Sequence, residues 1–105
     1  MSNWEVLSTI KSTVHSFFPD ARVLLFGSRA RGDFDKNSDF DVLVISKNDC
    51  PPKEKRDWSG KINSALVSAI HAPVDVVFQS EEEVNVYKNY YGHIIRYAMK
   101  EAVEL

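Results

Sequence analysis

Three groups of residues in this sequence have the types and spacing to do chemistry together. Gly27-Ser28-Arg29-Ala30-Arg31-Gly32 follows one short apolar run, Ser38-Asp39-Phe40-Asp41 opens a second, and Asp75 interrupts a third. A glycine where a buried strand ends lets the backbone approach a ligand closely. If a helical turn begins at Ser28, its free N–H groups favour an anion. Ser28 adds a hydroxyl donor, and Arg31 adds a fixed positive charge with a forked donor set suited to phosphate. Gly27, Ser28 and Arg31 therefore read as a triphosphate cradle. It is not a Walker-type loop, because no Gly-Lys-Ser/Thr follows. Arg29 stays open between phosphate contact and solvent.

Asp39 and Asp41 are two residues apart. On a strand that places both carboxylates on one face, with about 7 Å between Cα atoms, and turns Phe40 towards the core. Two such acids in an apolar setting repel each other. A hard divalent cation removes the conflict and takes oxygen ligands by preference, including phosphate oxygens. Ser38 is placed to cap the turn that delivers Asp39. Asp75 lies within Val74-Asp75-Val76-Val77-Phe78, where a buried charge is costly without a partner. If that strand adjoins the second, Asp75 completes a three-carboxylate cluster able to hold two cations, or one cation beside a general base. Gly-Ser before basic residues, or Asp-x-Asp, is weak evidence alone. The ordering of strand end, strand start and third strand gives the combination its weight.

These residues need a frame. Ser2 with Glu5 forms a capping box, and Val6, Ile10, Val14 and Phe17 follow at helical spacing. Val23 to Phe26, Asp41 to Ile45 and Val74 to Phe78 read as three buried strands. Trp58, Ile62, Leu66, Ala69 and Ile70 give a second amphipathic helix, stopped near Ala72-Pro73. Ser80 with Glu83 is another capping box. Val84 to Leu105 reads as helical, interrupted near Gly92, with Ile94, Ile95, Ala98, Ala102 and Leu105 facing the core. The order helix, strand, strand, helix, strand, helix predicts a small α/β or α+β domain, with helices packed on a short sheet.

At 105 residues the chain is expected to be one domain spanning 1–105. With 44% hydrophobic and 27% charged residues it has an ordinary globular composition. No apolar run approaches the about 20 residues of a membrane helix, and with no basic and apolar leader pattern at the start no secretory signal is expected. Cys50 is the single cysteine, so an internal disulfide is ruled out and a cytoplasmic location is expected. A net charge of −2 argues against a general nucleic-acid coat. His15, His71 and His93 lack ligand spacing. Glu81 to Glu83 suit a helix N-terminus, and the four tyrosines are read as packing or interface residues.

On these motifs the chain resembles the minimal nucleotidyltransferases (the MNT antitoxin type) of the DNA polymerase β-like superfamily. Their pattern is Gly-Ser-x-Ala-Arg-Gly, then Ser-Asp-x-Asp, then an Asp within a later hydrophobic strand. The resemblance covers essentially the whole chain, and His93 to Leu105 resembles the family's closing helix. Glu101 matches there, whereas Ala102 replaces a glycine. It implies a mixed β-sheet flanked by helices, with a polymerase β palm-like fold. It implies Mg²⁺, one or two ions, held by Asp39, Asp41 and Asp75, the last as ligand or base. It implies ATP, its triphosphate held by Gly27, Ser28 and Arg31. The implied reaction is attack of a hydroxyl on the α-phosphorus with loss of pyrophosphate. The implied partner is a HEPN toxin that receives AMP on a tyrosine.

Two rival readings stand beside this one. Nucleotidyl transfer to a small molecule would require a partner subunit carrying the substrate site. A non-catalytic module would mask its partner by contact alone, a reading the three carboxylates weigh against. A homo-oligomer is also compatible with a small core and exposed aromatics.

Overall fold

The computed structural model describes residues 1–105 and contains α1 (Asn3–Phe17), β1 (Arg22–Phe26), α2 (Ser28–Arg31), β2 (Phe40–Ser46), α3 (Pro52–Ile70), β3 (Val74–Ser80), α4 (Glu81–Tyr87), α5 (Ile94–Glu101) and β4 (Val103–Glu104). The strands form one mixed sheet in the order β3-β2-β1-β4. β1 is antiparallel to β2 and β4, and β2 is parallel to β3. The domain is therefore α+β, with helices on both faces of a four-stranded sheet. No helix is long and apolar enough to cross a membrane.

Local chemistry sets most boundaries. The capping box at α1 is formed, with Ser2 Oγ accepting from the Glu5 N–H and Glu5 accepting from the Ser2 N–H. The same device starts α4 through Ser80 and Glu83. α3 opens on Pro52, where a missing N–H costs nothing, and closes at His71, which takes the left-handed conformation at φ 54°. Side-chain alternation along the strands splits the core in two. Val23, Leu25, Val42, Val44, Val76 and Phe78 face α1 and α3, where Ile10, Val14, Ile62 and Leu66 are buried. Leu24, Phe26, Leu43 and Ile45 face Val84 of α4 and Ile95 and Ala98 of α5. Each fully buried Ile or Leu contributes about 1.5–3 kcal/mol.

The closing segment differs from the sequence reading. It is two short helices separated by residues 88–93, then a two-residue strand on the free edge of β1. Gly92 at φ 81° supplies part of the turn. The His93 side chain caps α5 by accepting from the Ile95 N–H at 3.1 Å. Ile95 and Ala98 are buried as expected, and Ala102 and Leu105 pack against the two cores. Ile94 instead is 46% exposed. It sits one residue, about 100° of helical rotation, away from the buried Ile95. The last residues leave the helix because β1 offers unpaired backbone groups: the Leu105 N–H donates to Val23 O at 2.8 Å.

Candidate functional site

At one end of the sheet three positions line up across neighbouring strands. Phe26, the last residue of β1, is paired with Asp41, and Asp41 is paired with Asp75. Gly27 follows directly. Adjacent strands lie about 4.8 Å apart, so the turn at Gly27, Asp41 and Asp75 form one short row. Asp39 stands just ahead of β2, and Phe40 between them is buried as expected.

Gly27 is the N-cap of α2 and has φ 72° and ψ −159°, a region essentially confined to glycine. A Cβ there would overlap the Asp41 carboxylate. The turn and the acidic strand therefore touch, and only a residue without a side chain permits it. The carbonyl of Gly27 accepts from the N–H groups of Ala30 and Arg31. The N–H groups of Ser28 and Arg29, at the first two positions of α2, have no partner inside the helix and stay available to an anion.

Asp41 is half-buried, and its pKa lies above the ordinary carboxylate value. Burial is the largest cause, followed by the charges of Asp75, Asp39 and Glu101, with Arg31 opposing. This concentration of negative charge is what a bound cation would relieve. No three of the acids, histidines and cysteine close into a complete metal cage. The donor set suits a hard cation whose remaining ligands are phosphate oxygens and water, the usual manner for Mg²⁺. Asp75 is exposed rather than buried. It is the second residue of an edge strand and lies beyond the cover of α4 and α5, so water, not an apolar wall, meets its charge.

Two arginines flank the turn. Arg31 pairs with Glu101 at 2.9 Å and with Asp33 at 3.3 Å, and is held at the cradle by these bonds. Arg29 is half-buried and engaged by the protein itself. Its guanidinium lies 4.4 Å from the ring centre of Phe34 and 4.2 Å from that of Phe40. Its Nε and Nη2 both donate to Ser38 O, at 3.3 and 3.1 Å. Ser38 Oγ in turn accepts from the Asp35 N–H at 3.0 Å, the capping turn expected there. Arg29 thus fixes the residue that precedes Asp39. Arg29→Ala is expected to cost about 1–2 kcal/mol of stability, the worth of the stacked cation and its hydrogen bonds. Arg29→Lys should recover only part of this, because it lacks the fork. Urea midpoints of the three proteins measure both effects.

Glu101 was matched in sequence to the family's closing helix without a role. Here its Oε1 accepts from the buried Gly27 N–H at 3.0 Å while its Oε2 binds Arg31. One carboxylate holds both the backbone turn and the cation of the cradle. Loss of a charge-assisted bond of this kind costs about 1.5–3 kcal/mol. Glu101→Ala is therefore expected to raise KM for the nucleotide by about tenfold or more, with a smaller change in kcat. Steady-state kinetics against nucleotide concentration would show the split, and an unchanged KM would remove Glu101 from the cradle.

The remaining features fall outside the site. His15 Nε2 bonds Ala21 O at 2.9 Å, and His93 stacks on Tyr87 with ring centres 4.2 Å apart. Burial raises the Cys50 thiol pKa, the opposite of what a reactive thiol needs.

A turn with free N–H groups pressed against an acidic strand pair is an arrangement suited to nucleotidyl transfer. The chain belongs to the nucleotidyltransferase domain family, whose model matches residues 7–105. "Putative protein adenylyltransferase MJ0141" of Methanocaldococcus jannaschii is 43% identical over 54 residues, which are 50% of this chain and 54% of that protein. The match thus spans about half the length of the curated relative. The fold resembles that of a solved chain described as "Structure of putative minimal nucleotidyltransferase", with TM-score 0.68, 21% identity, and coverage of 100% of this chain and 97% of that one. It also resembles a chain in the crystal structure of a toxin–antitoxin with AMP-PNP, with TM-score 0.65, 19% identity, and coverage of 92% and 69%.

Proposed function

We propose that residues 1–105 are a single catalytic domain that transfers AMP from ATP to a hydroxyl of a protein partner, a tyrosine of a HEPN toxin that this chain neutralises. The observation that carries the reading is the contact between Gly27 and Asp41. It puts an anion-accepting turn and a cation-seeking carboxylate within one ligand's reach. The relative named as a protein adenylyltransferase supports a protein acceptor, and the toxin–antitoxin neighbour with its ATP analogue supports the pairing and the nucleotide.

In this reading Gly27, Ser28 and the free N–H groups of α2 hold the β- and γ-phosphates, with Arg31 beside them. Asp39 and Asp41, with Asp75 at the acceptor side, would hold Mg²⁺, which when bound neutralises developing charge on the phosphates. Asp75 then orients the acceptor hydroxyl. The hydroxyl oxygen bonds to the α-phosphorus, and the bridging bond to the β-phosphate breaks. Pyrophosphate leaves, and the hydroxyl proton passes to the Asp75 carboxylate or to water. The test is intact-mass measurement of a HEPN partner after incubation with the chain, ATP and Mg²⁺. One AMP adduct per modified tyrosine is expected, lost when EDTA is added or ATP is omitted. A partner that is bound and silenced without any mass change would instead establish masking by contact.

A further inference from the structure

The largest concavity on the molecule, about 480 Å³, is not the phosphate cradle but a trough between α3 and the outer edge of β3. It begins at Asp75 and is walled on the helix side by Arg56, Ser59, Gly60 and Asn63. We propose that this trough is the acceptor site, and that the acceptor enters as an extended peptide segment that adds to β3 as a fifth strand. This rests on the transfer reading given above and specifies where and in what form its protein acceptor binds.

Three observations converge on it. The first is direction. The sheet order places the phosphate turn on β1, Asp41 on β2 and Asp75 on β3. If pyrophosphate departs on the β1 side, a nucleophile in line with it must arrive from the β3 side. The trough lies there.

The second is unspent backbone. β3 pairs only with β2. Pro73 O accepts from the Phe40 N–H at 3.0 Å. By the alternation of a parallel ladder, Asp75, Val77 and Gln79 then turn their N–H and C=O groups towards β2. Those of Val74, Val76 and Phe78 point outward, and these three residues line the trough. The Val76 carbonyl accepts from Ser59 Oγ at 3.3 Å, which fixes its outward direction and marks the only protein donor it has. A strand added at this edge would use these groups.

The third is what the walls select. Side chains of an added strand would alternate between the two faces of the sheet. One set would enter the trough, where Gly60 leaves open space above the helix. The residue between them would lie on the face of Asp75, its hydroxyl beside that carboxylate. Lys55, at the far end, is tied to Glu83. Arg56 is exposed and makes no ion pair, so one free cation faces the trough. That suits a peptide with an acidic residue near its acceptor and falls short of what a nucleic-acid strand needs.

The test uses backbone NMR of the full chain with two probes. One is ATP with Mg²⁺. The other is the capped peptide acetyl-Glu-Val-Tyr-Val-Glu-amide, acidic at both ends so that either strand direction meets Arg56. The peptide is expected to shift the Val74 and Val76 amides and slow their hydrogen exchange, whereas ATP shifts the Ser28 and Arg29 amides. Gly60→Trp, which fills the trough in open space, and Arg56→Glu should each weaken peptide binding roughly tenfold or more and leave the ATP response intact. Peptide shifts that map elsewhere, an absent peptide response beside a normal ATP response, or peptide binding unchanged in both variants would overturn the proposal. An absent ATP response strikes the transfer reading itself.

Discussion

Asp41→Asn is expected to cut nucleotidyl transfer severely and at the same time to make the protein more resistant to heat. The two effects have one source. Asp41 is the half-buried member of an acid group, and its ionised form is opposed by burial and by Asp75, Asp39 and Glu101. Asparagine keeps the shape and removes the charge. Transfer should fall about 100- to 1,000-fold, the usual cost of deleting one preorganised electrostatic group. After allowance for solvent screening, the relief is about 0.5–1 kcal/mol, or a rise in Tm of roughly 2–6 °C for a domain of this size. The sign of the pH dependence follows. A carboxylate whose pKa is raised by folding favours the folded state when protonated, and loses that advantage as pH rises through its folded value. The Tm gap between variant and wild type should therefore be widest near neutrality and close as pH falls through the carboxylate range. Thermal melts of both proteins across that range, beside a transfer assay, decide it. A variant that is inactive but no more stable would mean that Asp41 carries no repulsive load in the free protein.

What the sequence disclosed and what it withheld divide along the range of the interactions. α1 and α3 were legible because their apolar positions repeat over several turns, and α1 and α4 each carry a capping box that acts within four residues. The three longer strands were legible as apolar runs. β4 was not, because a two-residue strand exists only through its pairing with Leu24 and Leu25. Asp39, Asp41 and Gly27 could be named from spacing, since each lies within a few residues of a strand end. The exposure of Asp75 could not, because it depends on β3 being an edge strand, and strand order leaves no local mark. Glu101 illustrates the same limit. The two groups that donate to its carboxylate lie 74 and 70 positions away, and only tertiary packing brings them together. Arg29 was ambiguous for a different reason. Its fate rests on two aromatic rings, of which Phe34 sits in a loop without periodicity.

Gly27→Ala should be the most damaging single-methyl change in the molecule. Two costs meet at this position. The backbone conformation, φ 72° with ψ −159°, is worth about 1–3 kcal/mol of strain for any residue with a Cβ. The added methyl also overlaps the Asp41 carboxylate, so either the turn withdraws or Asp41 rotates away. Both responses separate the free N–H groups proposed to hold phosphate from the acid beside them. A displacement of about 1 Å at such a site lowers rates by about 100-fold, and nucleotide binding should weaken as well because the Glu101 anchor on the Gly27 N–H is disturbed. The fold should survive, since strain of this size is smaller than the 5–15 kcal/mol typical of a domain. The steric and conformational parts can be told apart by repeating the change in an Asp41→Ala background. There the methyl has no carboxylate oxygen to strike, so the destabilisation should shrink to the backbone part alone. Equal losses in both backgrounds would show that the glycine is required for its dihedral angles and not for its contact with Asp41.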